Sequence, residues 1–414
     1  MDCVLHIGTE KTATTLLQSW LYSNREALSA QGVFLSSVLK EGNNRKLVSY
    51  FQPQIDDWLR RQHISTEAEK TAFFDGFEAA FRDEVQTAGA THHTMIITSE
   101  HFHSRLRQRD SLASLRALLT DLFDSVRVVC YFRDQADYAV STYSTKLRNA
   151  YTESLETFIA SITEDGYYFN HEASADLWAS VFGDAACHFS VFDRSTFVDG
   201  DIRRDFLSHL PRSIKGEQLD YGIDRRNESL SGFRARLFRV INKRIPHWKP
   251  GRMGINRLNK KLKASVEQIE SLNQGSLEAA KQPLRDKFAD SNQRFLERWM
   301  PERQDLLDHS SSQPTEAPSD FDADAVESLL AELMDTITHR HLSGGRVLLD
   351  EDAQELVAFY DRYRAACPAD LEGARLLLAL AQRARPGGKV ILDRLEVLEN
   401  EAAQTDGPEA SSAD

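Results

Sequence analysis

The chain has 414 residues, four cysteines and a formal net charge of −13 at pH 7. Single domains usually contain ~100–200 residues, so this length favours two folded units, one of them large. No apolar run approaches the ~18 residues of a membrane span, no secretory signal is visible, and the cysteines lack metal-ligand spacing. These features exclude an integral membrane protein and a cysteine metal site, and we expect a cytoplasmic protein.

Four short apolar runs rich in β-branched residues predict strands. They are CVLHIG (3–8), TMIITS (94–99), VRVVCYF (126–132) and ACHFSVF (186–192). The first three are each followed by a helix-like pattern, and this alternation is typical of parallel strands with helical crossovers. We therefore predict an α/β fold with a P-loop-like parallel sheet flanked by helices.

The second half of the chain is predicted to be helical. Apolar residues recur at three- and four-residue spacing from about 227 to 300, and a Ser/Pro-rich linker follows at 309–322. The further helix candidates are 323–341, 350–366, 370–384 and 388–403. We predict a first domain over 1–308, a small acidic, all-helical C-terminal extension over 323–404 and a disordered tail over 405–414.

Charge is distributed unevenly along the chain. Residues 309–414 carry 21 acidic and 9 basic side chains, a net charge of −12 that leaves −1 for residues 1–308. Within that larger part, residues 225–263 carry thirteen Lys or Arg side chains and one acid, Glu228. The sequence therefore predicts a basic surface on a protein that is acidic as a whole.

The segment GTEKTATT, residues 8–15, joins the first predicted strand to a helix. Backbone N–H groups converge where a loop enters a helix N-terminus, and the helix dipole adds partial positive charge, so such a junction binds anions. Lys11 adds a full positive charge. Hydroxyl donors come from Thr12, Thr14 and Thr15. The segment therefore predicts a site for a phosphate-like group.

A nucleotide triphosphate loop of the form GxxxxGK[ST] is one candidate for this site. It would imply a P-loop kinase or NTPase that uses ATP and magnesium. The spacing disagrees, because Thr14 stands where the lysine belongs and Lys11 follows Gly8 by only three positions. This class is therefore kept as the alternative.

Two further polar pairs follow predicted strands. Arg133 directly follows VRVVCYF, and Ser141 lies eight positions later, about two helical turns on. Ser99 and Glu100 stand at the end of the TMIITS run. A guanidinium suits phosphate because its planar donors meet two oxygens at once. With the lysine loop, these pairs make three polar features in a fixed order along the chain.

These motifs resemble those of sulfotransferases, in particular the bacterial family that includes enzymes acting on polysaccharides. The family's 5′-phosphosulfate loop is usually written PK-[ST]-G-T-[TS], and here Glu10 replaces the proline and Ala13 replaces the glycine. The family also has an Arg at a strand end with a Ser eight residues later, and a Ser-Glu pair at an intermediate strand end. The resemblance extends over roughly residues 3–301.

The resemblance implies the co-substrate 3′-phosphoadenosine 5′-phosphosulfate (PAPS) and no metal ion. It implies transfer of the sulfuryl group to a hydroxyl or amine of an acceptor, with a carbohydrate or polysaccharide as the expected class. The donor-binding residues would be Gly8, Lys11, Thr12, Ala13, Thr14, Thr15, Arg133, Ser141, Arg225 and Arg226. Lys11 would also stabilise charge on the bridging oxygen of the leaving group.

The acceptor also has to lose a proton, and Glu100 is the general base that the resemblance implies, with a helix-capping or loop-ordering carboxylate as the competing interpretation. His101 and His103 compete for this role, since an unperturbed imidazole has a pKa near ~6.5. If the strand continued that far, alternation would send residues 100 and 101 in opposite directions, and at most one would face the donor. The competing interpretation of both histidines is a surface position, and His6 is interpreted as a core histidine. The predicted catalytic residues are Lys11, Glu100 and His101.

The basic segment 225–263 has three interpretations. An anionic acceptor such as an acidic polysaccharide would bind there, with Trp248 stacking on a sugar ring. Arg225 or Arg226 would instead hold the donor's 3′-phosphate. The segment would otherwise be a solvated helical face that balances the acidic C-terminal part. No nucleic-acid recognition motif accompanies the charge, so nucleic acid is not expected as a partner.

A catalytically inactive sulfotransferase-like fold that serves as an interaction module is a further alternative. Glu10 and Ala13 keep it open, because an acid beside an anion site lowers affinity unless its side chain points away. The acidic helical extension would dock on the basic segment, tether the protein to a larger assembly, or increase its solubility.

Overall fold

The computed structural model of the protein describes residues 1–40, 42–223, 229–248, 255–268, 273, 275–309 and 350–405. The strands are β1 (Asp2–Gly8), β2 (Val33–Leu35), β3 (Thr94–Thr98), β4 (Val126–Phe132) and β5 (Cys187–Val191). The α-helices are α1 (Thr14–Ser23), α2 (Arg25–Ser29), α3 (Arg45–Phe51), α4 (Asp57–Arg61), α5 (Glu67–Phe73), α6 (Phe77–Gly89), α7 (His101–Arg105), α8 (Arg109–Leu122), α9 (Gln135–Asn149), α10 (Leu155–Ala160), α11 (His171–Phe182), α12 (Ile202–Ser208), α13 (Gly232–Arg244), α14 (Arg257–Gln268), α15 (Gln282–Trp299), α16 (Asp350–Ala366), α17 (Leu371–Ala384) and α18 (Lys389–Thr405). Short 3₁₀ helices are Asp184–Ala186, Val198–Gly200, Gly216–Gln218 and Glu278–Ala280. Among these described helices, none is both long enough and apolar enough to cross a lipid bilayer.

The strands form one parallel sheet in the order β2-β3-β1-β4-β5. β1 lies at its centre, with Leu5 in register with Ile97 of β3 and with Val128 of β4. This topology confirms the predicted α/β fold with a parallel sheet flanked by helices. β2 is not predicted from the sequence, because its three residues are too few to show a pattern.

The sheet is buried on both faces, which is why its strands are nearly continuous apolar runs. Successive residues of a strand alternate between the faces. Leu5 shares one core with Phe81 of α6 and Trp178 of α11, whereas Val4 shares the other core with Trp20 of α1. Helices therefore cover both faces and leave the ends of the strands as the place where polar loops gather.

Contacts divide the chain into two compact units. The first comprises Met1–Ala139, Ala160–Asn227 and Lys281–Gln313, and the second comprises Val140–Ile159, Glu228–Ala280 and Pro314–Asp414. The first unit contains the whole sheet, and both units combine segments that are distant in sequence. The predicted domain boundaries stay a prediction, because the linker beyond His309 lies outside the described residues, as do 323–341 and 406–414.

The C-terminal helices pack within the second unit. α16, α17 and α18 confirm three of the predicted C-terminal helices. Their buried residues, such as Phe359 and Leu378, share one core with Phe233 and Leu237 of the basic helix α13. Of the three interpretations of the acidic extension, this packing favours docking on the basic segment.

Candidate anion-binding site and carboxylate cluster

The candidate site lies at the edge of the sheet where β1, β3 and β4 end. The chain leaves β1 toward β2 on one side of the sheet and leaves β4 toward β5 on the other. In open α/β sheets such a change of direction opens a crevice that binds ligands. The loop after β1 and Arg133 after β4 follow the two strands between which this rule predicts the crevice. The fold thus brings together Lys11 and Arg133, which are 122 positions apart.

Gly8 ends β1 in a backbone conformation that favours glycine, with φ at +121°. A Cβ atom at this position would approach the Cα atom of Glu100 to 3.2 Å, which is tighter than ordinary packing. The glycine therefore allows the ends of β1 and β3 to approach each other closely. Thr9 links the loop to β4 by donating its N–H to the carbonyl oxygen of Tyr131 at 3.0 Å.

The loop after Gly8 contains two residues in left-handed conformations, Lys11 with φ 66° and Ala13 with φ 55°. A left-handed conformation costs a residue with a Cβ atom roughly 1–2 kcal/mol, and glycine avoids this cost. The conformation of Ala13 therefore explains why the motif that the sequence resembles has glycine at this position. Ala13 is also the N-cap residue of α1, and no side chain caps this helix. The first turn of α1 therefore offers its backbone N–H groups to an anion.

The threonines of the loop have different environments. Thr12 is buried and donates its hydroxyl to the carbonyl oxygen of Thr9 at 2.7 Å, which orders the loop. Thr14 is buried at the start of α1, whereas Thr15 is exposed. Because the hydroxyl proton of Thr12 is used within the loop, Thr14 and Thr15 are better candidates for donating to an anion. The Lys11 side chain is half-buried.

Arg133 reaches back from the end of β4 to the loop after β1. Its Nη1 donates to the carbonyl oxygen of Lys11 at 3.2 Å, and its guanidinium lies 5.8 Å from the ring centroid of Phe192. Its Nε is buried without a hydrogen-bond partner among the described residues. Burial lowers the pKa of the guanidinium, which nevertheless stays charged at pH 7. An unsatisfied buried N–H is costly, so this donor would gain from an acceptor such as an anion.

Three predicted donor-binding residues are not part of this geometry. Ser141 is half-buried in α9, but it belongs to the second unit, so its pairing with Arg133 stays a prediction. Arg225 and Arg226 lie outside the described residues. The predicted cations that the structure brings together at the ends of β1 and β4 are therefore Lys11 and Arg133.

Three titratable side chains, Glu10, Glu100 and His101, lie where β1 and β3 end, and we call them the carboxylate cluster. The His101 ring lies between the two acids, with Nδ1 3.8 Å from Glu10 Oε1 and Nε2 3.9 Å from Glu100 Oε1. Burial lowers the pKa of His101, and the charge of Arg45 lowers it further. The imidazole is therefore neutral at pH 7.

Glu100 is the N-cap residue of α7. Gln18 of α1 donates its Nε2 to Glu100 Oε2 at 2.7 Å. Burial nevertheless raises the pKa of Glu100. A carboxylate whose pKa lies above the usual ~4.3 is a stronger proton acceptor, which suits a general base.

Glu10, the acid in the loop after β1, is held by other protein groups. Tyr168 donates its hydroxyl to Glu10 Oε2 at 2.6 Å. Burial acts to raise the pKa of Glu10, but hydrogen bonds from Tyr168 and Ser104, with nearby positive charge, hold it below its usual value. The two acids of the carboxylate cluster thus have pKa values displaced in opposite directions.

The condition for strand alternation is not met, and the surface interpretation of His103 is wrong. β3 ends at Thr98, and Glu100 and His101 stand at the start of α7, so strand alternation does not separate them. His103 is fully buried instead of lying on the surface, and burial lowers its pKa to about 3. His6 is buried in β1 with Nδ1 2.8 Å from Thr98 Oγ1, as predicted for a core histidine.

Gln18, Arg45 and Tyr168 were not predicted from the sequence. Gln18 lies four residues after Thr14 on the same face of α1, so helical spacing was a signal for it. Tyr168 contacts Glu10 across 158 positions of the chain, and no local pattern announces such a contact.

Comparisons with known proteins give one weak match. No family model matches the chain. An uncharacterized protein of Archaeoglobus fulgidus is 28% identical over 119 residues, which cover 29% of this chain and 31% of that protein. The match therefore spans less than a third of either chain. No solved structure matches.

Proposed function

We propose that this protein is a sulfotransferase that moves a sulfuryl group from PAPS to a hydroxyl or amine of an acceptor, with a carbohydrate or polysaccharide as the expected class. One observation carries the proposal. Lys11 and Arg133 follow two adjacent parallel strands, and Arg133 donates to the backbone of Lys11. A donor with anionic groups at both the 3′ and 5′ positions of its ribose needs two such cations.

The loop after β1 is suited to the 5′-phosphosulfate of this donor. The N-terminus of α1 and the hydroxyls of Thr14 and Thr15 would hold the 5′-phosphate. The ammonium group of Lys11 would neutralise charge on the oxygen that bridges phosphorus and sulfur. Arg133 would pair with the 3′-phosphate, because a guanidinium meets two phosphate oxygens at once.

The proposed reaction is an in-line displacement at sulfur, analogous to phosphoryl transfer. A lone pair on the acceptor oxygen or nitrogen forms the new bond to sulfur while the bond from sulfur to the bridging oxygen breaks. The electrons of that bond stay with the leaving 3′-phosphoadenosine 5′-phosphate, and Glu100 takes the proton of the acceptor. Lys11 and the helix N-terminus would neutralise the leaving phosphate, so a metal-free reaction stays our prediction.

The opposite pKa displacements in the carboxylate cluster support a division of roles. Glu100, with its raised pKa, is the proposed general base, and such a base typically contributes ~10²–10⁴-fold. Glu10 would stay ionised and raise the pKa of Glu100 by repulsion. His101, whose pKa is lowered, would be the weaker proton acceptor at neutral pH.

Two other functions compete with this proposal. A P-loop kinase or NTPase is disfavoured by the position of Lys11 and by Arg133, since ATP has no 3′-phosphate for a guanidinium to bind. The main support for an inactive sulfotransferase-like module was Glu10, the acid in the loop after β1. The hydrogen bond from Tyr168 to Glu10 weakens that support, because the carboxylate is held by the protein.

Calorimetry with nucleotides separates the first two candidates. A sulfotransferase should bind 3′-phosphoadenosine 5′-phosphate at least about tenfold more tightly than adenosine 5′-phosphate or ATP, without magnesium. Magnesium-dependent ATP binding with no preference for a 3′-phosphate would instead identify an NTPase.

Catalysis needs a second measurement. Radiolabelled sulfate should pass from PAPS to at least one member of a panel of cell-surface glycans. Tight binding of 3′-phosphoadenosine 5′-phosphate without transfer to any member of the panel would identify an inactive module.

A further inference from the structure

An exposed apolar group lies in the second unit, next to the basic helices. Trp248, Ile255 and Leu258 are 55%, 43% and 37% exposed, and we call them the Trp248 patch. Trp248 and Ile255 pair across an antiparallel bridge, which places their side chains on the same face. Leu258 follows three residues later in the first turn of α14. Three large apolar side chains this close along the chain are more than singly scattered surface residues.

Buried polar contacts fix the backbone of the Trp248 patch. The N–H of Asn256 donates to the carbonyl oxygen of His247 at 2.7 Å. His247 Nδ1 lies 3.1 Å from Asn259 Oδ1, and Asn259 Nδ2 donates to the carbonyl oxygen of Ile245 at 2.7 Å. The Trp248 ring packs edge-on against His247, with 5.0 Å between the ring centroids. The exposed side chains are therefore presented by an ordered backbone.

Exposed cations lie on α13 and α14, the helices on either side of Trp248 and Ile255 in the chain. They are Lys243 near the end of α13 and Arg257, Lys260 and Lys261 of α14. The acid of α14, Glu267, is paired with Arg148 at 2.8 Å. The net charge of −13 belongs to the whole chain, whereas these four cations act over the Debye length of ~8 Å at physiological salt.

We propose that the Trp248 patch and these cations bind the surface of an anionic lipid bilayer. The apolar side chains would enter the boundary between headgroups and acyl chains, where Trp is favoured. The cations would contact anionic headgroups while their aliphatic stems cover apolar surface. The association would be peripheral, and it does not depend on the proposed transferase activity.

An acidic polysaccharide is the other partner that a Trp side chain and several cations would fit. A sugar ring gains from a flat aromatic face with polar neighbours, and Ile255 and Leu258 have no polar group to offer it. Both aliphatic side chains gain free energy by leaving water for a bilayer. The composition of the patch therefore favours lipid over glycan.

Vesicle flotation of the full chain tests the proposal. The wild-type protein should float with vesicles of phosphatidylcholine and phosphatidylglycerol, not with phosphatidylcholine alone, and should float less as salt is raised. Trp248→Ala should weaken binding about tenfold, because it removes the largest side chain that enters the bilayer. The double variant Lys260→Glu and Lys261→Glu should weaken it about a hundredfold.

Matched controls come from exposed residues of the C-terminal helices. Arg383→Glu with Lys389→Glu makes the same charge change, and Val397→Ala truncates an exposed apolar side chain. These variants should bind as the wild type does, and circular dichroism with thermal melting checks that every variant is folded.

Three outcomes would overturn the proposal. The wild-type protein would fail to bind anionic vesicles, or the control variants would lose as much binding as the patch variants. In the third outcome, polygalacturonate would change Trp248 fluorescence, identified by comparison with Trp248→Phe, while vesicles would not. That result would assign the surface to an acidic glycan.

Discussion

The two sides of β1 carry opposite chemistry at the edge where the sheet meets its loops. The side toward β4 carries the cations Lys11 and Arg133, and the side toward β3 carries the carboxylate cluster of Glu10, Glu100 and His101. An anion site needs hydrogen-bond donors directed at the ligand, whereas a general base needs a buried group that accepts a proton. The end of β1 meets both requirements because the residues on its β4 side are cationic and those on its β3 side form the carboxylate cluster.

The largest expected effect comes from removing the charge of the loop after β1. Lys11→Met keeps a long side chain and removes the ammonium group that would stabilise the leaving oxygen. We expect kcat for sulfuryl transfer to fall ~10³-fold. Lys215→Met, at an exposed lysine of the first unit, is the matched control and should keep the wild-type kcat. A nearly wild-type kcat for Lys11→Met would show that the ammonium group of Lys11 does not contribute to catalysis.

Glu100→Gln removes the proposed general base from the carboxylate cluster. The amide oxygen still accepts from Gln18, but it accepts no proton, so kcat should fall ~10²–10³-fold with unchanged affinity for 3′-phosphoadenosine 5′-phosphate. In the wild type, kcat should rise as the pH passes the raised pKa of Glu100. The variant should lose this limb of the pH–rate profile, and the exposed Glu217→Gln should keep it. A limb that persists in Glu100→Gln would point to His101 as the base.

Arg133→Lys sharpens the assignment of the cationic side to a 3′-phosphate. The lysine keeps the charge and loses the planar pair of donors. Calorimetry should show ~10–100-fold weaker binding of 3′-phosphoadenosine 5′-phosphate and unchanged binding of adenosine 5′-phosphate. Arg194→Lys is the matched control, because Arg194 also lies over the Phe192 ring, at 5.7 Å. Equal losses for both nucleotides would contradict the assignment.

Glu10→Gln tests whether the two acids of the carboxylate cluster are coupled. The ionised Glu10 raises the pKa of Glu100 by repulsion, so removing its charge should lower that pKa. The acidic limb of the pH–rate profile should move to lower pH by roughly half a pH unit. The amide still accepts the hydrogen bond from Tyr168, which preserves the packing. An unmoved limb would mean that the two acids act independently.

The smallest expected effect is on stability. Because the pKa of Glu100 is raised by burial, the folded state holds its proton more tightly than the unfolded state does. Its contribution to stability is therefore present at low pH and lost as the pH rises through the raised pKa. Glu100→Gln should melt ~2–4 °C above the wild type at neutral pH and at the same temperature in acid. Equal melting temperatures at all pH values would show that Glu100 ionises as an exposed acid does.

The sheet and the cationic side were predictable from local patterns. β1, β3, β4 and β5 are apolar runs that a short window detects, whereas the three residues of β2 are too few. Lys11 and Arg133 directly follow strands, and parallel neighbouring strands end at the same edge. The neighbourhood of β1 and β4 was not predictable in this way, because β2 and β3 lie between them in the chain, and the expectation that the two cations lie together came from the resemblance.

The carboxylate cluster was only partly predictable. Glu100 was predicted as the base, but its raised pKa depends on burial, which is a property of the packed fold. Gln18 and Glu100 are 82 positions apart, and Tyr168 and Glu10 are 158 apart, so their contacts exist only in three dimensions. Ser141 belongs to the second unit and Arg133 to the first, so the position of one relative to the other stays a prediction.

The missing side chain of Gly8 also matters for protein engineering. A Cβ atom there would lie 3.2 Å from the Cα atom of Glu100, so main-chain packing sets the separation between the donor loop and the proposed base. Position 8 should therefore stay glycine in any library, and Phe102, His103 and Ser104 of α7 should be kept because they are fully buried.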